Sequence, residues 1–168
     1  AAKAAGFEAV ECHWPYDQDV DAVASALQQT GLPMLGLNTR RGRTGENGMS
    51  ALPGREDEAR AAIDEALAYA KATNTGAVHV MAGFAQGADA HATCAENLRY
   101  ACSQAEGRTI LIEPLNGYDA PDYFLNRTTQ AAALIKEVGA PNLRLMFDCY
   151  HVQLTEGDVT HRFEKLLP

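Results

Sequence analysis

The stretch Thr109-Ile110-Leu111-Ile112-Glu113-Pro114-Leu115 is a short apolar run that stops at a carboxylate and a proline. Consecutive aliphatic residues without polar alternation suit a strand covered on both faces, as in a parallel sheet. Pro114 pushes the residue before it into extended backbone. Glu113 therefore ends the strand with its carboxylate aimed in one direction. Runs of similar character recur at residues 7–12, 32–38, 77–81 and 143–150, and the last of them closes in Phe147-Asp148-Cys149-Tyr150-His151.

Between the runs lie stretches of helical period. Asp17 and Asp19 precede a face of Val20, Val23, Ala24 and Leu27 that stops at Gly31. After Pro53-Gly54 comes an acidic first turn (Glu56, Asp57, Glu58) and a stripe of Ala59, Ala62, Ile63, Ala66, Leu67 and Ala70. Thr93 with Glu96 reads as a capping box for a third helix, with Leu98, Ala101, Cys102 and Ala105 inward and Gly107 at its end. A fourth carries Ala131, Leu134, Ile135 and Val138 and ends at Gly139 before Pro141.

This β/α alternation admits two architectures. A flavodoxin-like doubly wound sheet fits the 168 residues. A (β/α)8 barrel takes about 250 residues, so the chain would hold about five of its units. Residues 1–5 read as the end of a helix with no strand before it, and a helical pattern over 158–167 runs to the last residue, Pro168. No glycine-rich phosphate loop follows the first strand. The reading favours an incomplete α/β barrel forming one domain over 1–168. Such a chain has two raw sheet edges through which to self-associate and is expected to be at best a folded half-site without activity of its own.

Composition narrows the function. There are 14 Lys+Arg against 22 Asp+Glu, a formal net charge of −8, which repels phosphate backbones and argues against nucleic acid as a partner. No apolar run is long enough to span a membrane, and no secretory leader opens the sequence. Cys12, Cys94, Cys102 and Cys149 form no C-x-x-C pair and read as reduced thiols of a cytoplasmic protein.

Chemistry collects at the C-terminal ends of the runs, the active rim of barrels and open α/β sheets alike. Glu113 and Asp148 are one β/α unit apart and would stand on neighbouring strand ends. Together they suit a hard divalent cation such as Mg²⁺ or Mn²⁺; each alone could instead cap a helix or pair with Arg127 or Arg144. His151, three residues after Asp148, joins them only if the strand ends near Cys149 and the chain turns. Trp14 and Tyr16 could wall a small polar substrate, or Trp14 could plug the barrel mouth. His79, mid-strand, reads as a satisfied core histidine. Arg40, Arg41 and Arg43, in a glycine-rich stretch, read either as a basic lid over an anionic substrate or as a solvated loop.

Several segments resemble one family: Ala51-Leu52-Pro53-Gly54-Arg55-Glu56, Glu96-Asn97-Leu98-Arg99-Tyr100-Ala101, Ile112-Glu113-Pro114-Leu115-Asn116, Tyr123-Phe124-Leu125-Asn126-Arg127-Thr128 and Phe147-Asp148-Cys149-Tyr150-His151-Val152-Gln153. They are similar to the hydroxypyruvate isomerases among the xylose isomerase-like TIM barrels. The resemblance implies aldose–ketose isomerisation of a small hydroxy-oxo acid, hydroxypyruvate to tartronate semialdehyde or a 2-oxo-tetronate. It implies a divalent metal held by Glu, Asp, Gln and Glu, with two glutamates as acid and base. By motif, Glu113 matches the first catalytic and metal-binding Glu, Asp148 a ligand Asp, and His151, Asn38 and Asn116 substrate contacts. The matching Gln and second Glu, and a first strand, have no counterpart in the sequence. The lid is shorter than usual, Asn47 stands where Arg is common, and Arg40 replaces a common Pro. The alternatives are a sugar or ketose epimerase of the same fold, using the same Glu113 and Asp148, or a non-catalytic fragment or binding module.

Overall fold

A computed structural model describes residues 1–167. After a single 3-10 turn at Lys3–Ala5, strands and helices alternate: β1 Val10–Cys12, α1 Val20–Thr30, β2 Met34–Asn38, α2 Glu56–Ala72, β3 Ala77–His79, α3 Gly87–Gln104, β4 Thr109–Ile112, α4 Thr128–Val138, β5 Leu143–Leu145, α5 Cys149–Thr155 and α6 Val159–Leu166. All strand pairs are parallel, in the order β1-β2-β3-β4-β5. A doubly wound sheet must reverse its strand order somewhere; this one never does. Sequential order is the barrel's, here with five strands.

Register decides what faces what. Leu37, Val78, Ile110 and Leu143 are mutual partners across β2 to β5 and are at most 1% exposed under the helices. One residue further on, Asn38, His79, Leu111 and Arg144 form the row on the opposite, concave side. Glu113 follows Leu111 by two and shares that side by alternation. A bulge between β1 and β2 shifts the pairing from Val10–Met34 to Cys12–Leu37, which leaves Leu35 outside the core.

The buried stripe of α2 contains every residue its periodicity marks, with Tyr69 in addition. The strands are shorter than the apolar runs, because the residues after β3 take loop partners: Met49 and Ser50 N–H groups donate to the Met81 carbonyl. The Thr93 capping box does not exist. Helix α3 begins six residues earlier at Gly87, whose φ of +89° suits only glycine well, and Thr93 is a buried mid-helix residue. The alanine-rich first turns extend the helix past a false start signal. The four cysteines are free, Cys94 buried and Cys149 exposed. No described helix is long and apolar enough to cross a membrane.

The N-terminus of α4 is held by a distant carboxylate. Glu156, its side chain 3% exposed, accepts from the Thr128 N–H at 2.9 Å and the Thr128 hydroxyl at 2.8 Å, and binds Arg162 at 3.2 Å. Glu156→Ala orphans these donors together and is expected to cost about 2–3 kcal/mol, read as a lower urea midpoint at unchanged slope.

Candidate functional site

Where the strands end, the concave side opens into a cavity of about 270 Å³. Glu113 beyond β4, Asp148 and His151 at the head of α5, Glu11 on β1 and His13 just after it supply its ionisable wall, together with His79. Leu115, Met146 and Trp14 supply apolar wall, and Asn38 and Asn47 close it toward the loop after β2.

Glu113 dominates the electrostatics. Its side chain is 13% exposed. Burial, then the neighbouring Asp148, then Glu11, raise its pKa from 4.5 to about 7. Among the described residues no Lys or Arg pairs with Glu113 or Asp148, Arg127 and Arg144 included. His79 Nδ1 lies 3.7 Å from the Glu113 carboxylate. Burial, with His13 adding to it, pushes the His79 pKa down to about 4, so at neutral pH that contact is not an ion pair. Among the described residues neither His79 ring nitrogen has a hydrogen-bond partner, so it lines the cavity as an unpaired polar group rather than as the satisfied core histidine expected.

Asp148 does two jobs. Oδ1 accepts from the Tyr150 N–H at 2.7 Å, capping α5, while Oδ2 lies 4.0 Å from His151 Nε2. The strand ends at Leu145 and the chain turns into a helix, which is the condition His151 needed: at i+3 on α5 it faces the same way as the cap. Ligand atoms of Glu113, Asp148 and His151 lie within 4.8 Å of one another.

The tautomer of His151 follows from its partners. The Asn116 backbone N–H donates to Nδ1 at 3.1 Å, and the Asn116 amide nitrogen lies 2.8 Å from the same atom. A backbone N–H only donates, so Nδ1 is the acceptor and the neutral ring carries its proton on Nε2. His151 thus presents a donor to the cavity. The two carboxylates remain the groups suited to a cation, and their uncompensated charge fits one.

Residues 1–167 match the family model of the xylose isomerase-like TIM barrel. The chain belongs to that family. It is 44% identical to the 2-oxo-tetronate isomerase of Cupriavidus necator over 98% of this chain and 66% of that protein. It is 38% identical to the hydroxypyruvate isomerase of Escherichia coli over 93% of this chain and 64% of that one. A crystal structure of an AP endonuclease, family 2, from Brucella melitensis superposes with a TM-score of 0.94 at 40% identity, covering 98% of this chain and 66% of that chain. The chain thus spans just under two thirds of the relatives it matches.

Of the residues singled out from the sequence, Glu113, Asp148, His151, Asn38 and Trp14 meet at this family's strand-end cavity. Tyr16 and Asn116 stand behind its wall. Tyr16 donates to the Asn38 carbonyl and packs edge-on against Tyr69; Asn116 is fully buried and holds His151. Cys12 and Cys149 do not line the cavity. Glu11, which the sequence reading does not single out, also lines the cavity. Its signal is strand alternation, since its neighbours Val10 and Cys12 pack into the core.

Two measurements check this geometry. Below pH 4.5 Glu113 is protonated whether folded or not and costs nothing. As pH rises to about 7 the unfolded chain ionises first, and above it the fold bears the full penalty. In chelator-treated protein, Glu113→Gln is therefore expected to stabilise by about 2–3 kcal/mol at pH 8 and to have no such advantage at pH 4. Long-range ¹H–¹⁵N NMR is expected to show His151 protonated at Nε2, with Asn116→Ala mixing the tautomers.

Proposed function

We propose that the protein carrying this chain is an aldose–ketose isomerase of small hydroxy-oxo acids, interconverting hydroxypyruvate and tartronate semialdehyde or acting on a 2-oxo-tetronate. The observation that carries the reading is Glu113: a largely buried carboxylate whose pKa is raised to about 7, beside Asp148 and open to a cavity of about 270 Å³, ample for a small acid. A general base works best when its pKa lies near the working pH. The identities to a 2-oxo-tetronate isomerase and a hydroxypyruvate isomerase support the substrate class.

The reaction moves a carbonyl to the adjacent carbon. Glu113 takes a proton from the hydroxyl-bearing carbon as the carbonyl oxygen gains one, giving an enediol; a proton is then returned to the neighbouring carbon and the original hydroxyl gives up its own, so one hydrogen passes between the carbons and one between the oxygens. His151, fixed as an Nε2–H donor, hydrogen-bonds the substrate oxygen on which charge develops. Leu115, Met146 and Trp14 keep water from the enediol. Glu113 and Asp148 would hold a divalent cation, Mg²⁺ or Mn²⁺, which supplies Lewis-acid stabilisation of the developing negative charge.

A nucleic-acid substrate, as the name of the Brucella protein would suggest, fits poorly with three carboxylates in the cavity wall and a net charge of −8. In the full-length protein, hydroxypyruvate is expected to be converted in the presence of Mn²⁺. Glu113→Gln is expected to lower kcat at least ~10²-fold while binding survives. Near-normal turnover in that variant removes Glu113 from the mechanism.

A further inference from the structure

The substrate class proposed above is anionic, yet the cavity wall contains Glu11, Glu113 and Asp148 and neither lysine nor arginine. A cation shared by Glu113 and Asp148 offsets their charge but leaves the substrate's own carboxylate without a lysine or arginine to pair with. The loop after β2 carries three arginines, and two are committed. Arg40 pairs with Glu65 at 2.7 Å and Arg43 with Glu58 at 3.6 Å. Nearby Arg55 is held between Glu46 and Glu58. Arg41 alone of the four makes no ion pair among the described residues. Its guanidinium lies over the Trp14 ring, 4.6 Å from the ring centre, and its Nε donates to Asn47 Oδ1 at 3.2 Å. Trp14 and Asn47 are both cavity wall, so the unpaired guanidinium, which does not itself line the cavity, lies against two residues that do.

We propose that Arg41 binds the substrate's carboxylate and makes the site selective for acids over neutral sugars. This rests on the isomerase reading for its substrate class. Stacking on Trp14 and the bond to Asn47 fix the guanidinium plane and use up Nε. The Nη1/Nη2 edge remains as a flat two-pronged donor that matches a carboxylate. The backbone beneath it is pinned, not loose. The Gly48 N–H donates to the Arg41 carbonyl at 2.7 Å, and Gly48 bridges to Ala82 beyond β3. At Gly48, φ is +106° and a Cβ would stand 2.4 Å from the Met81 carbonyl, so only glycine lets the loop dock this closely. An acid held by Arg41 would offer its hydroxyl-bearing carbons to the cavity that Trp14, Asn47 and Glu113 line.

The test compares D-glycerate, an inert hydroxy acid, with glyceramide, its neutral counterpart, by ligand-observed NMR titration of the full-length protein. Wild type is expected to prefer glycerate by ~10-fold or more. Arg41→Met is expected to erase that preference with glyceramide binding unchanged, and Arg41→Lys to restore part of it. With hydroxypyruvate, Arg41→Met is expected to raise KM with kcat little altered. A glycerate preference that survives Arg41→Met, or is absent in wild type, overturns the assignment. Arg41-dependent glycerate binding in a protein that fails to isomerise hydroxypyruvate would instead sink the isomerase reading and leave Arg41 standing.

Discussion

Glu113 and Asp148 are two carboxylates on neighbouring elements of the strand-end cavity, Glu113 largely buried and Asp148 part-exposed, with no lysine or arginine among the described residues to offset them. Burial of a charge without a partner is expensive, and a second like charge adds to the cost. The fold nevertheless fixes both groups. Pro114 holds Glu113 extended at the end of β4, and Asp148 is locked by its role as the cap of α5. The molecule thus places at its strand-end cavity a pair that invites a metal ion. That arrangement sacrifices stability for chemistry.

The surrounding scaffold spends its buried polar side chains on keeping the strand ends rigid. Beyond β3 the ladder stops, and side chains take over its backbone groups. The Thr39 hydroxyl accepts from Met81 N–H at 3.0 Å, the Tyr123 hydroxyl from Ala82 N–H at 2.8 Å, and the Asn97 amide donates to the Ser50 carbonyl at 2.9 Å. Asn116 does the same for the α5 side. Its Oδ1 accepts from the N–H groups of Tyr118 and Asp119, and its amide holds Asp119 and His151. Site residues built on such locked elements keep their directions without help from substrate.

The sequence carries the architecture because apolar period and end signals agree at most elements, as in the stripe of α2 and the Gly139 stop of α4. It carries Glu113 and Asp148 because a carboxylate ending an apolar strand is conspicuous. It does not carry the roles of Tyr16 and Asn116, since a side chain that braces the wall and one that forms it look alike in one dimension. The unpaired state of His79 is hidden for a related reason: a histidine amid valines signals burial, whereas the lack of a partner among the described residues shows only when β2 and β4 set Asn38 and Leu111 beside it. Thr93 shows the converse, a local signal that the longer helix overrides.

The central claim is that Glu113 carries an uncompensated charge which a cation shared with Asp148 relieves. A ¹³C titration of the Glu113 carboxyl, without and with saturating Mg²⁺, tests it most directly. The account predicts a midpoint near 7 without the ion, falling by at least ~1 unit with it, and no such fall in Asp148→Asn. A midpoint near 4.5 without the ion, or one that Mg²⁺ leaves unmoved, contradicts it.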